Sequence, residues 1–186
     1  MIKQGKVQVN QKVEKSPSRW MDLNNNQIQV DGKQITATEK VYLMLNKPRG
    51  LITTLSDEKG RETVISCLND SNLPWISPVG RLDKASEGLL LLTNDTRWAA
   101  AIVDPASHLD KTYHVQVRGG IDPELLHKIR QGIVEHGELL KAKEVKIIRQ
   151  GSKNCWLEIV LDEGRIRQIR LLMNTFNLPV LRLIRI

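Results

Sequence analysis

Residues 80–95 read GRLDKASEGLLLLTND, and they place charged side chains directly before four consecutive leucines at 89–92. Arg81 and Asp83 flank a single residue, Leu82, at the entrance to this apolar run. Such a run, bounded by turn-forming residues, predicts a buried strand that is covered on both faces. A carboxylate on the turn before that strand could be a nucleophile in a fixed position, or it could be an ordinary turn residue. Composition and spacing leave both interpretations open.

The segments on either side of this stretch predict an α+β fold. Strands are predicted at 41–54 with a break at 47–50, at 89–94, 112–118, 139–149 and 155–164, and at 179–186. Helices are predicted at 62–69, 96–105, 121–132 and 165–177. The helix at 121–132 is the best defined, because Asp122 is a capping residue, Pro123 suits the first turn and Gly132 follows the end. This order lacks the regular alternation of a doubly wound sheet, so we predict a mixed, mainly antiparallel sheet with flanking helices.

The first 37 residues predict a separate, small β module. Segments 6–12 and 28–33 both alternate apolar and polar residues before a turn-forming residue. In the second segment, Asp31 and Gly32 are a strong hairpin signal. Few large apolar residues are available here, so a substantial core is not expected. We therefore predict two domains, 1–37 and 38–186.

The composition predicts a cytoplasmic protein that binds a polyanion. The 186-residue chain carries a formal net charge of +7 and has a pI near 9.5, and a basic surface attracts nucleic acid. Charge alone leaves an acidic membrane surface open as a partner. The apolar runs are too short to span a bilayer, and the start lacks the apolar core of a signal peptide. Cys67 and Cys155 form no CxxC pair, so we interpret both as buried thiols.

The candidate chemical groups are one carboxylate and a cluster of arginines. Arg165, Arg167 and Arg170 lie close together in a predicted amphipathic helix. They suggest a phosphate or carboxylate site, although a solvated helix face is the commoner reason for such a cluster. The four histidines are scattered, and neither a metal-binding pattern nor a nucleotide-binding glycine loop occurs in the sequence.

Four motifs, in a fixed order, resemble one known family. They are LNKPRG at 45–50, GRLDKASEGLLLLTND at 80–95, DKTYHVQV at 110–117 and EGRIRQIRLL at 163–172. Their order and approximate spacing are similar to those of bacterial ribosomal-RNA pseudouridine synthases, which modify single uridines of small- or large-subunit RNA. The resemblance runs from residue 41 to the end. Residues 1–37 resemble the second half of the α-L RNA-binding module that often precedes this catalytic domain.

The resemblance implies conversion of uridine to pseudouridine in ribosomal RNA, without cofactor or metal. Asp83 matches the catalytic carboxylate of the family, and Arg170 matches the arginine expected to pair with it. Tyr113 matches the tyrosine that stacks on the target base. Arg81 resembles the residue that fills the space left by the flipped uridine. We also expect a monomer that contacts no membrane.

The family pattern extends to the phosphate contacts and to the ends of the chain. Lys111, Arg165 and Arg167 are the expected phosphate contacts. Ile166 and Leu171 occupy positions where the family commonly has polar or basic residues. This weakens the expectation that the whole start of the helix binds RNA. Because members usually continue beyond a final strand like the one here, we expect both ends to be incomplete.

Two functions of different classes follow from the sequence. The favoured one is a uridine isomerase acting on ribosomal RNA, with the large subunit favoured because more members of the family act there. The alternative is a non-catalytic RNA-binding factor associated with the ribosome. A metal-dependent nuclease would need clustered carboxylates that the sequence lacks.

Overall fold

The computed structural model describes residues 1–22, 25–36, 38–68, 72–135, 137–162 and 167–186. The chain divides into two compact units, residues 1–40 and residues 41–186. This division lies close to the domain boundary predicted near residue 38.

The first unit is a small antiparallel sheet. Its strands are β1 (Val7–Val9), β2 (Lys12–Glu14), β3 (Ile28–Val30) and β4 (Lys33–Ile35). They lie side by side in the order β2-β1-β3-β4. Asp31 and Gly32 connect β3 to β4 with φ values of +47° and +77°, as a two-residue hairpin turn requires. The predicted hairpin is therefore confirmed.

The second unit is built on a seven-stranded sheet. Its strands, with those of a separate hairpin, are β5 (Tyr42–Lys47), β6 (Ser77–Val79), β7 (Glu87–Thr93), β8 (Lys111–Arg118), β9 (Ile133–Glu135), β10 (Glu138–Leu140), β11 (Glu144–Gln150), β12 (Asn154–Leu161) and β13 (Val180–Arg185). The sheet order is β11-β12-β8-β13-β7-β5, with β6 also paired to β7. The β13–β7 pair is parallel and the other pairs are antiparallel, which confirms the predicted mixed sheet.

Three α-helices of the described residues accompany this sheet. They are α1 (Thr96–Val103), α2 (Pro123–Gln131) and α3 (Gln168–Thr175), and two 3-10 helices lie at Val64–Leu68 and Pro105–Ser107. The Asp122 carboxylate accepts a hydrogen bond from Leu125 N and begins α2, and Gly132 follows its end. Both predicted caps are confirmed. In α3, the apolar face buries Ile169 and Met173 among the side chains of β8 and β12.

Several local predictions were wrong. Cys67 is exposed, because the segment around it forms only a short 3-10 helix that buries Val64. The strand predicted at 139–149 is two strands, since Leu139 and Leu140 pair with β9 and β11 starts at Glu144. The break at 47–50 is correct, but the part after it forms only an isolated bridge, from Ile52 to Thr63.

Strand β7 is covered on one face rather than on both. Leu90 and Leu92 are fully buried, whereas Leu89 and Leu91 are only partly buried. Leu90 packs in a cluster with Leu82, the residue between Arg81 and Asp83. The face that carries the buried leucines is therefore the face that anchors the loop from β6 to β7.

The first residues of β7 pair with β13, and its last residues pair with β6. At Gly88 the backbone of β13 comes so close that an added Cβ would overlap the Arg185 backbone. Gly88 also has a φ of +98°, a conformation that is unfavourable for residues other than glycine. The loop from β6 to β7, residues 80–86, therefore ends two residues before a tightly packed contact between β7 and β13.

We expect Gly88→Ala to destabilise the protein by about 3 kcal/mol or more, because its methyl group has no space. Gly119→Ala is the matched control, since Gly119 has a φ of +97° and no atom near the added Cβ. It should cost only about 1–2 kcal/mol for the backbone conformation alone. Urea unfolding monitored by tryptophan fluorescence measures both values. Equal losses would show that the close approach of β13 contributes nothing.

Within the described residues, no helix is both long enough and apolar enough to cross a membrane.

Candidate active site

Asp83 lies on the loop that joins β6 to β7. Its side chain is 37% exposed, while the neighbouring Leu82 is buried in the core beneath it. The Asp83 carbonyl accepts a hydrogen bond from Ser86 N at 2.9 Å, which closes a turn. The turn role considered for Asp83 thus belongs to its backbone. Its carboxylate remains accessible to a ligand.

Lys47, the last residue of β5, is fully buried beneath this loop. Its ammonium donates to the Ser86 carbonyl at 2.9 Å and to the Pro48 carbonyl at 3.0 Å, with the Asp83 carbonyl at 3.4 Å. Burial lowers the pKa of Lys47, and the negative charges of Glu87 and Asp83 oppose this shift. A buried cation surrounded by carbonyl oxygens therefore fixes the loop from below.

Arg170 holds the same loop from α3. Its Nη2 atom donates to the Ala85 carbonyl at 3.2 Å. Burial lowers the pKa of Arg170, the negative charge of Asp83 opposes this, and the positive charges of Arg167 and Arg49 lower it further. Arg170 is therefore within electrostatic reach of Asp83, and Arg49 adds a third positive charge close by.

The predicted ion pair between Asp83 and Arg170 is not observed among the described residues. The ion pair of Asp83 is instead with Arg167, whose Nε lies 4.0 Å from the Asp83 Oδ2 atom. Arg170 is directed to a backbone carbonyl of the loop, and that hydrogen bond takes the place of a direct contact with the carboxylate. Arg165 lies outside the described residues.

Tyr113 lies on β8, opposite Arg185 of β13. Burial raises the pKa of the Tyr113 hydroxyl, the charge and a hydrogen bond of Arg185 lower it, and the negative charge of Asp83 raises it. Arg185 also donates from Nε to the Leu89 carbonyl at 2.6 Å. Tyr113 also packs against the cluster that contains Leu82, the residue next to Asp83. Arg185 contacts both β8, through Tyr113, and β7, through Leu89.

Two further candidate residues lie at the edges of the site. Arg81 is exposed and precedes Asp83 by two residues on the same loop. Lys111 begins β8 and donates to the Leu109 carbonyl at 2.7 Å. Its position two residues before Tyr113 places both side chains on the same face of the strand.

In the part of the chain that the structure describes, no three side chains of His, Cys, Asp or Glu come together as a metal site would require. The chemical groups at the loop are one accessible carboxylate, several arginines and a half-buried tyrosine. Such a set can bind a polyanion and act on it with a carboxylate.

Comparison with known proteins identifies this arrangement. A sequence profile described as RNA pseudouridylate synthase matches residues 41–175, which is most of the chain. The chain belongs to the RNA pseudouridylate synthase family. It is therefore an enzyme that isomerises uridine in RNA, and the match spans the Asp83 loop, Tyr113 and all of α3.

Individual relatives agree with the profile. The chain is 37% identical over 186 residues to ribosomal large subunit pseudouridine synthase B of Bacillus subtilis, covering 98% of this chain and 75% of that protein. It is 40% identical to an uncharacterised RNA pseudouridine synthase of Rickettsia prowazekii, covering 100% of this chain and 78% of that one. A crystal structure of a pseudouridylate synthase superposes with a TM-score of 0.67 at 28% identity, over 99% of this chain and 78% of that one.

Some residues of the synthase site were not found from the sequence. Lys47 is part of the LNKPRG motif, and its inward position at the end of an alternating strand is the sequence signal for its burial. Arg49 and Arg185 gave no local signal. They reach the site only because β5 and β13 flank β7 in the sheet.

Proposed function

We propose that this synthase converts a specific uridine of ribosomal RNA to pseudouridine, with Asp83 as the catalytic carboxylate. One observation carries the proposal: an accessible carboxylate stands on a loop whose backbone is hydrogen-bonded to Lys47, Gly50 and Arg170. A catalytic group must be fixed in position yet reachable by substrate. Asp83 meets both requirements, and the positive charges around it suit an RNA substrate.

The reaction needs one carboxylate and no net oxidation. The bond between N1 of uracil and C1′ of ribose breaks, the base rotates, and a bond forms between C5 and C1′. The proton leaves C5, and N1 gains one, so atoms and electrons balance. Asp83 can serve by attacking the base, by attacking the sugar, or by removing a sugar proton. Each of these routes uses the carboxylate in its ionised form.

The target uridine has to leave its stack before Asp83 can reach it. Arg81, exposed on the same loop, fills the space that the uridine leaves. Tyr113 stacks on the extruded base, an interaction worth about 1–3 kcal/mol per base. A tyrosine hydroxyl is protonated at neutral pH, and the pKa of Tyr113 is raised further, so the ring adds no negative charge beside Asp83.

Phosphates of the RNA are bound by Lys111, Arg165 and Arg167. Of these, Arg167 has the most direct support, because its side chain is 66% exposed and approaches Asp83. A phosphate next to the target uridine can therefore contact Arg167 while the base contacts Asp83. The small sheet of residues 1–40 is proposed as an additional RNA-binding module, by its resemblance to the α-L type. We propose that the enzyme is a monomer, and that it is cytoplasmic because its proposed substrate is ribosomal RNA.

The large subunit is the proposed location of the target, supported by the name of the Bacillus subtilis relative. Transcripts of large- and small-subunit RNA, labelled with tritium at C5 of uridine, test this directly. The protein should release tritium from the large-subunit transcript and far less from the small-subunit one. Release from the small-subunit transcript alone would overturn the assignment of the target to the large subunit. Release from neither transcript would overturn the proposal that ribosomal RNA is the substrate.

We expect Arg170→Leu and Arg167→Leu to affect different steps. Arg170 is half-buried and holds the loop, so its loss should lower kcat about 100-fold while the RNA Kd changes little. Arg167 is exposed, so its loss should weaken RNA binding about 10-fold. The slope of log Kd against log salt concentration should also fall by the amount expected for about one phosphate contact. Single-turnover tritium release and filter binding separate the two parameters. If Arg170→Leu lowered affinity as much as turnover, Arg170 would be a phosphate contact instead.

A further inference from the structure

The hydroxyl of Thr53 is bonded to both backbone groups of Leu82. Thr53 Oγ1 donates to the Leu82 carbonyl at 2.7 Å and accepts from the Leu82 N–H at 3.2 Å. Thr53 is buried, with only 9% of its surface exposed. The Thr53 side chain thus makes the two backbone hydrogen bonds that a neighbouring strand would otherwise make with Leu82, the residue between Arg81 and Asp83.

These two bonds control the orientation of both functional neighbours. The Leu82 N–H belongs to the peptide plane shared with Arg81, and the Leu82 carbonyl belongs to the plane shared with Asp83. Because a peptide unit is planar, fixing both groups restrains the backbone dihedrals of Leu82. The directions in which the Arg81 and Asp83 side chains leave the backbone are then restrained as well.

The segment that carries Thr53 is itself anchored. Ile52 N donates to the Glu62 carbonyl at 3.1 Å, and the Ile52 carbonyl accepts from Val64 N at 2.9 Å. Ile52 also bridges Thr63, next to the fully buried Val64. Thr53 therefore presents its hydroxyl from a rigid position, which a side chain needs if it is to restrain another segment.

Thr53 completes a series of bonds along the loop. Every backbone carbonyl from 82 to 86 accepts a hydrogen bond, from Thr53, Ser86 N, Gly50 N, Arg170 and Lys47 in that order. Lys47 and Arg170 hold the end of the loop after Asp83. Thr53 holds the part before it, where Arg81 and Asp83 diverge.

We propose that Thr53 is a positioning residue that sets the direction of the Asp83 carboxylate, which rests on the catalytic role proposed for Asp83. Thr53 contacts no substrate in this proposal, because its hydroxyl is bonded to Leu82 and its surface is buried. Its removal should therefore lower turnover and leave RNA affinity unchanged.

Thr53→Val and Thr53→Ser test this inference with a matched control. Valine keeps the shape and removes the hydroxyl, whereas serine keeps the hydroxyl. Thr93→Val is the control, because Thr93 is also buried, donates to the Val41 carbonyl at 2.6 Å and accepts from Asp95 N at 3.0 Å. It removes the same two kinds of bond at the far end of β7.

At saturating RNA, kcat of Thr53→Val should fall about 10- to 100-fold, as expected for a misplaced catalytic group. The RNA Kd should stay within about 2-fold of wild type. Thr53→Ser should recover most of the lost turnover, and Thr93→Val should remain near wild type. Equal kcat values for the two valine variants, or no recovery with serine, would overturn the proposal.

Amide hydrogen exchange supplies a readout that does not depend on activity. The peptide containing residues 81–86 should exchange faster in Thr53→Val than in Thr93→Val, since the Leu82 N–H loses its acceptor. Exchange that is unchanged in Thr53→Val would overturn the inference even if activity fell. If wild type were inactive on ribosomal RNA while this peptide still loosened, the proposed function would fail and the restraint by Thr53 would stand.

Discussion

We expect Asp83→Asn to abolish uridine isomerisation, with a loss of about 10⁴-fold or more in kcat, as for other essential catalytic carboxylates. An amide of the same size cannot act as a nucleophile or as a base. The fold should persist, because the loop is held by its backbone carbonyls and by the buried Leu82 rather than by the Asp83 carboxylate. The single ion pair of Asp83 is long and exposed, so it contributes little stability.

RNA binding separates a catalytic role from a binding role for Asp83. Removing a negative charge from a site that receives a polyanion should leave the RNA Kd unchanged or make it slightly tighter. Tritium release and filter binding on the same preparation measure both quantities. Glu124→Gln is a suitable control, since Glu124 is an exposed carboxylate on α2 that pairs with Lys128. Full isomerisation by Asp83→Asn would exclude Asp83 as the catalytic group.

Local features of the fold were predictable because their causes are local. The caps of α2 follow from Asp122 and Gly132, and the β3–β4 hairpin follows from Asp31 and Gly32. Each depends on backbone groups within a few residues. The exposure of Cys67 was not predictable, because it depends on which other segments cover a single helical turn.

The candidate site was predictable in its members but not in its contacts. The resemblance selected Asp83, Tyr113 and the arginines at the start of α3. In the structure, Arg167 and Arg170 both lie within electrostatic reach of Asp83. The resemblance selected Arg170 as the partner of the carboxylate, whereas the ion pair in the structure is with Arg167. Arg167 immediately precedes α3 and Arg170 lies on it, more than 80 residues from Asp83, and their placement depends on how the helix packs on the sheet. The left-handed backbone of Arg167, with φ of +57° at the helix start, has no signature in the sequence.

The supports of the loop were the least predictable part of the site. Thr53 and Lys47 reach residues 82–86 from strands and loops that sequence patterns assign only to the core. A buried lysine is uncommon, because its charge loses hydration unless carbonyls or carboxylates replace it. At position 47 the carbonyls of one loop provide this replacement, and the identity of that loop depends on the pairing of β5 with β7.

We expect Lys47→Met to have the second largest effect, on both stability and turnover. Methionine fills a similar volume, but the carbonyls of Pro48 and Ser86 would lose the ammonium donor, while the Asp83 carbonyl keeps its hydrogen bond from Ser86 N. Leaving buried acceptors unsatisfied costs about 1–3 kcal/mol each, partly offset because the ammonium no longer has to be buried, so we expect a net loss of about 2–4 kcal/mol. The loosened loop should lower kcat about 100-fold.

Lys146→Met is the matched control for this substitution. Lys146 is exposed on β11, and its ammonium lies 2.6 Å from the Glu158 carboxylate, so its loss should leave the stability close to that of wild type. Urea unfolding gives the stability of both variants, and single-turnover tritium release at a temperature where both are folded gives kcat. A loss of stability without a loss of kcat would show that Lys47 stabilises the fold but does not position the catalytic loop. Wild-type stability with reduced kcat would instead show that the ammonium acts on Asp83 chiefly through its charge, because the loop would then keep its place without the three hydrogen bonds.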